Sequence, residues 1–212
     1  MRLHLYDYFR SSAGYRVRIA LNLKGLAYTR EEVSLIDGEQ GASAHRARSP
    51  QGLVPVLDTG EAMLTQSLAI IEWLDATWPE PRLIPRDPTQ RAAAMARALT
   101  IACDVHPLNN LRVLRHLERE LGADQAARDR WYARWTAEGF AALEAMAGPG
   151  PFLGGEAPDL ADICLVPQMY NARRFGVPVD AYARLVRADH EAGALPAFAA
   201  AHPDRVRGVT AF

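Results

Sequence analysis

Residues 3–25 read LHLYDYFRSSAGYRVRIALNLKG, and the change of period inside this stretch decides the fold. Leu3 and Leu5 alternate with His4 and Tyr6, the two-residue period of a short strand. Ser11 and Ser12 then open a helical stretch over 15–24. Val17, Ala20, Leu21 and Leu23 give it a mostly apolar face, while Arg16 and Lys24 project elsewhere. Gly25 stands where a helix of this kind stops. A strand running through a polar turn into a helix is the opening unit of a mixed α/β domain.

Working outward, 26–33 reads as a second strand and 36–48 as a polar, partly helical stretch. Two short strands, 54–57 and 62–64, flank the turn Asp58-Thr59-Gly60. A helix follows over 66–78, with Leu68, Ile71, Leu74 and Trp78 at spacings of three and four. The predicted order is β-α-β-α-β-β-α. Pro79, Pro81, Pro85 and Pro88 then stop the helix and stiffen the chain. Beyond them the pattern is helical throughout: 89–121, 125–147, 159–171, 182–192 and a short element near Pro196. Asp159 and Asp162 form a capping-box signal for the third of these, and Pro167 inside it predicts a kink. The expected division is an α/β domain over 1–80, a proline-rich linker over 81–88 and an all-α domain over 89–212.

Composition narrows the function. The chain has 212 residues, 49% hydrophobic and 23% charged, ordinary for a globular protein. Lys+Arg number 24 and Asp+Glu 25, for a formal net charge of −1. That balance lacks the basic footprint of a nucleic-acid binder. Two cysteines, Cys103 and Cys164, are too few for a disulfide scaffold or a structural zinc site, so no metal is expected. They fit a reducing compartment and read as buried packing residues. No targeting segment and no run of about 20 apolar residues is present, which predicts a cytoplasmic protein without a membrane span.

Five clusters could carry chemistry. The turn from Phe9 to Arg16 sits at a helix start, where unpaired N–H groups favour an anion or a thiolate. Ser11 and Ser12 add hydroxyl donors, and Arg10 can hold a carboxylate; either serine can equally be a plain helix cap. Gln66-Ser67 repeats the same arrangement at a second helix start. Pro55 is poorly placed in a regular strand. A cis bond there would leave the backbone of Val54 open to an extended peptide; an ordinary trans turn is the alternative. His106 and Asn110 lie four apart beside Asn109 and Arg112, at a helix position that Pro107 should kink. Arg173-Arg174-Phe175 follows the capped helix and reads either as a pocket rim or as a solvated basic turn.

Taken together, the order of motifs resembles the glutathione transferase superfamily. It resembles most closely the zeta class, the maleylacetoacetate isomerases. Residues 8–21, YFRSSAGYRVRIAL, look like the zeta signature, whose vertebrate form reads SSCSWRVRIAL. Residues 66–72, QSLAIIE, are similar to the family's glutathione-binding helix start, and 106–114 and 162–168 extend the resemblance through the second half. The resemblance implies a thioredoxin-like first domain, glutathione as cofactor and a homodimer. It implies that Ser11 assists the glutathione thiolate with Ser12 and Ala13 nearby, that Val54 pairs by backbone before a cis Pro55, and that Gln66 and Ser67 hold the γ-glutamyl end. Gln40 is a weaker match to a glutathione-contacting glutamine. His106, Asn110 and Arg112 would line the site, and Arg10 and Arg174 would take the carboxylates of a diacid substrate. Ala13 stands where the vertebrate signature has cysteine, so any thiol chemistry belongs to glutathione. The implied reaction is glutathione-dependent conversion of maleylacetoacetate to fumarylacetoacetate. Maleylpyruvate isomerisation, general glutathione conjugation and a non-catalytic glutathione-binding module remain as alternatives. The single arginine beside Leu111, where a pair would grip a shorter keto-acid more tightly, favours maleylacetoacetate.

Overall fold

The structure is a computed structural model and describes residues 2–209. The chain forms two compact units. The first takes residues up to Leu83 and again from Ala194; the second is Ile84–Gly193.

The first unit is built on a four-stranded sheet in the order β2-β1-β3-β4. The strands are β1 (Leu3–Asp7), β2 (Tyr28–Glu32), β3 (Val56–Asp58) and β4 (Met63–Thr65). Strand β1 is interior, so Tyr6 and Asp7 are buried along with Leu3 and Leu5. It runs parallel to β2 and antiparallel to β3, and β3 runs antiparallel to β4. These directions have a simple consequence. The ends of β1, β2 and β4 and the start of β3 all lie on one edge of the sheet, where Val56 faces both Tyr6 and Thr65. Every loop that leaves this edge carries candidate residues.

Helix α1 (Ser12–Leu23) begins three residues earlier than the periodicity suggested, with Ser11 as its cap. Its burial runs round the helix. Arg16 and Lys24, expected away from the apolar face, are buried, as is Arg18. Each polar end is absorbed locally. Lys24 Nζ donates to Asp75 and to the carbonyls of Trp78 and Pro81, each at 2.6 Å. Helices α2 (Ser43–Arg48) and α3 (Ser67–Thr77) complete the first pass of the chain through this unit.

In the second unit, helix α4 (Pro88–Leu99) starts with Asp87 as its cap and proline in its first turn, where the missing N–H is harmless. The expected single helix over 89–121 is not formed. The chain passes into a π-helical segment, Thr100–Val105, then a turn, then α5 (Leu111–Arg119). Gly139, on α6 (Gln125–Met146), faces the end of the π segment, and a Cβ there would clash with a Val105 methyl. Helix α7 (Leu160–Arg174) carries the predicted capping box between Asp159 and Asp162 and continues through Pro167. Helix α8 (Ala183–Ala194) leads back to the first unit.

There α9 (Pro196–Ala201) and α10 (Pro203–Val206) correct the expected boundary, which had assigned everything after Pro88 to the helical domain. The reason is hydrogen bonding. Arg18 Nε donates to the Ala201 carbonyl at 3.1 Å, Asn22 to Ala197 at 2.9 Å, and Arg30 Nη1 to Val206 and Val209 at 3.1 and 3.3 Å. Cys103 is exposed on the π segment, against expectation, whereas Cys164 is buried as expected. No helix among the described residues is long and apolar enough to cross a membrane.

Candidate functional site

The β1–α1 turn is held from below. Asp7, fully buried, accepts from both Arg18 and Arg30, and Arg18 Nη2 also donates to the Phe9 carbonyl at 2.9 Å. Gly14 passes so close that a Cβ would lie 2.6 Å from Asp7 Oδ2. The turn is therefore fixed before any ligand is considered. Ser11 Oγ accepts from the Gly14 N–H at 3.1 Å. The cap and the donor readings of Ser11 are compatible, because an oxygen that accepts from the helix start keeps its own proton to give to an anion. Ser12 is buried and Ala13 half-buried beside it. Arg10 Nη2 donates to the Tyr8 hydroxyl at 3.0 Å and its guanidinium lies 5.1 Å from the centre of the Phe9 ring. Among the described residues no carboxylate pairs with Arg10.

The other loops of the same edge bring their candidates alongside. The Val54–Pro55 bond is cis, and Val54 lies just outside β3, so its N–H and C=O enter neither antiparallel ladder. Gln66 joins β4 to α3 with φ of +66°, the one positive φ at a non-glycine residue among those described. Such a conformation costs about 1–3 kcal/mol and persists where the surroundings impose it. The Gln66 side chain donates to Gln51 Oε1 at 2.7 Å, and Gly52 packs against the Gln40 carbonyl. Gln51, which sequence reading passed over, thus links Gln66 to the loop that faces Gln40. The Gln40 Oε1 atom is buried and accepts no hydrogen bond among the described residues. Ser67, the first residue of α3, is buried and accepts from Arg16 Nη1 at 3.3 Å.

The second unit holds the remaining candidates. His106 and Asn110 do not share a helical face, contrary to expectation. His106 closes the π segment, its N–H bonding back to Ile101 at 2.8 Å, while Asn110 caps α5 by accepting from Arg112 N at 3.1 Å. The break between them contains Pro107 and is held against α6. Asn109 is buried and donates to the Tyr132 carbonyl and to Thr136 Oγ1, and Trp131 donates to the Leu108 carbonyl. Arg112 is exposed. Arg174 ends α7, with its guanidinium 4.4 Å from the centre of the Phe175 ring, which in turn stacks on Tyr132 at 4.0 Å. Burial pushes the Tyr132 hydroxyl up to about 12, and the charge of Arg174 works against that rise. Arg173 is paired with Asp189 at 2.6 Å; among the described residues Arg174 has no carboxylate.

Two helix starts, an unladdered backbone segment and a hydroxyl with a proton to give, all on one sheet edge, make a surface suited to an extended anionic ligand. Residues 5–82 match the family model described as glutathione S-transferase, N-terminal domain. The class is therefore that of the glutathione transferases, with the thioredoxin-like sheet and a largely helical remainder. The chain is 47% identical over 206 residues to the maleylacetoacetate isomerase of Rhizobium meliloti, covering 96% of this chain and 97% of that one. A holo structure of a maleylpyruvate isomerase, described as a bacterial zeta-class enzyme, superposes with TM-score 0.93 at 44% identity over 95% of this chain and 97% of its own. A maleylacetoacetate isomerase from Anaeromyxobacter dehalogenans, with glutathione in its active site, gives TM-score 0.88 at 44% identity, with 98% of each chain covered. The chain belongs to the family of zeta-class glutathione transferases and maleylacetoacetate isomerases.

Proposed function

We infer that this chain is a glutathione-dependent cis–trans isomerase of maleyl keto-acids, with maleylacetoacetate as its substrate and fumarylacetoacetate as its product. The observation that carries this reading is the convergence of Ser11, Val54, Gln66 and Ser67 on the edge where β1 and β4 end and β3 begins. When bound, glutathione supplies a thiolate that adds to the cis double bond, lets the resulting single bond turn, and leaves again.

The residues present fit that group. Ser11 Oγ, fixed by Gly14 N–H, donates to the sulfur and favours its ionised form. Lowering a thiol pKa by about two units takes about 2.7 kcal/mol, within reach of a helix start plus one hydroxyl. Ser12 and Ala13 present their backbone beside it. Val54 pairs with the peptide backbone, Gln66 and Ser67 hold the γ-glutamyl end, and Gln40 adds an acceptor. Arg10 and Arg174 grip the substrate carboxylates. Neither has a carboxylate partner among the described residues, and a guanidinium grips a carboxylate in a plane. His106, Asn110 and Arg112 line the substrate side. Maleylpyruvate is the second substrate to test, because a maleylpyruvate isomerase is among the structural relatives. The family also points to a homodimer in the cytoplasm, read by sedimentation and by cell fractionation.

The deciding experiment follows the ultraviolet change of maleylacetoacetate and maleylpyruvate with and without glutathione. Turnover only in the presence of glutathione is expected, with maleylacetoacetate preferred. No isomerisation of either compound at saturating glutathione overturns the reading.

A further inference from the structure

Arg16 is a buried cation that no carboxylate among the described residues neutralises. Its side chain is 2% exposed. Nη1 donates to Ser67 Oγ at 3.3 Å, while Nε and Nη2 are buried with no acceptor among the described residues, and no carboxylate pairs with it. Arginine cannot shed this charge. A buried guanidinium with idle donors is costly and calls for a partner. The place where it sits says what that partner is. Ser67 is the first residue of α3, an eleven-residue helix, so its own start adds partial positive charge at the same point. Because Ser67 Oγ accepts from Arg16, its hydroxyl proton is turned to the other side, as a donor. Gln66, just before it, is held at φ +66°.

We propose that Arg16 is the built-in countercharge for the α-carboxylate of the γ-glutamyl group, acting through Ser67 as a positioning residue. This rests on the reading of the chain as a glutathione-dependent isomerase. Arg16 fixes Ser67 as a donor and raises the positive potential at the start of α3. The carboxylate supplies the negative charge that the fold withholds. The free protein is therefore mispaired at this point and the complex is not.

The test compares two ligands on two proteins by calorimetry: glutathione, and its analogue lacking the γ-glutamyl α-carboxylate. Replacing Arg16 by Met should weaken glutathione binding at least tenfold and leave the analogue within twofold of wild type. At saturating glutathione kcat should be unchanged, so the loss appears in KM for glutathione alone. Arg16→Lys, which keeps the charge, should recover part of the loss and serves as the second measurement if the Met variant does not fold. Equal losses for both ligands, or no loss for either, overturn the proposal while leaving the isomerase reading intact. A wild-type protein that binds neither ligand overturns both.

Discussion

Arg16 and Arg18 stand two positions apart on α1, both almost without exposure, and their surroundings differ in kind. Arg18 is closed: Asp7, the Phe9 carbonyl and the Ala201 carbonyl take its donors. Arg16 is open, with one bond to a serine. The second unit repeats the contrast at its surface, where Arg173 is paired with Asp189 and its neighbour Arg174 has no carboxylate among the described residues. The buried carboxylates are closed in two ways: Asp7 lies between two guanidiniums, and Asp162 is held by the backbone N–H groups of Leu153 and Asp159. Burial of a charge does not by itself mark a site. Whether the protein completes the charge's bonding does, and the closed groups build the scaffold that aims the open ones.

The largest effect should come from opening a closed group. Asp7→Asn leaves Arg18 buried without its anion and Arg30 with only Glu32, and should cost about 3–5 kcal/mol, read from the midpoint and slope of urea unfolding. A loss under about 1 kcal/mol would show that this network is not a scaffold. Next is the titration of Asp162. Burial raises its carboxyl from the ordinary 3.8 to about 7, and burial also raises Asp159 and Asp189. The folded state thus holds a proton that the unfolded chain releases, so stability should fall as pH rises from about 4 to 7. Asp162→Asn should flatten that slope; an unchanged slope would assign it to other groups. Arg174→Ala should raise KM for the diacid about 10- to 100-fold, the worth of a charged hydrogen bond of about 1.5–3 kcal/mol. Arg173→Ala should lower stability and leave KM within twofold. Matching KM effects would erase the distinction between the two arginines. The smallest change is expected from Gln66→Gly. Relief of the positive φ, less the entropy cost of glycine, should leave a net gain of about 1 kcal/mol in thermal stability, while glutathione binding weakens.

What could be read in advance followed from local chemistry. Ser11 caps α1 and the Asp159–Asp162 box opens α7 because a side chain meets backbone within three residues, and Gly25 ends α1 at φ +64°, which glycine adopts without strain. The cis bond at Pro55 and the small residues at the starts of α1 and α3 belong to the same class. What escaped depends on partners far away in sequence. Arg16 looks like a solvent-facing basic residue until Ser67, on another helix, is placed beside it. The bonding of Arg18 and Arg30 needs the chain beyond residue 200. Pro107 marks a break in the helix, but the π segment before it has no periodic signature, and its Val105 packs where Gly139 on α6 has no side chain. His106 and Asn110 were misplaced for that reason, as helical spacing holds only while the helix is α.

The return of the chain to its first unit sets an order of events during synthesis. The carbonyls of Ala201, Val206 and Val209, which finish the bonding of Arg18 and Arg30, are made only after the whole of residues 84–193. A nascent chain that has left the ribosome only as far as α8 can build its helical unit from near neighbours. Its sheet must wait with two arginines unfinished, under the slow closure that distant contacts impose. The glutathione half of the enzyme is translated first and completed last.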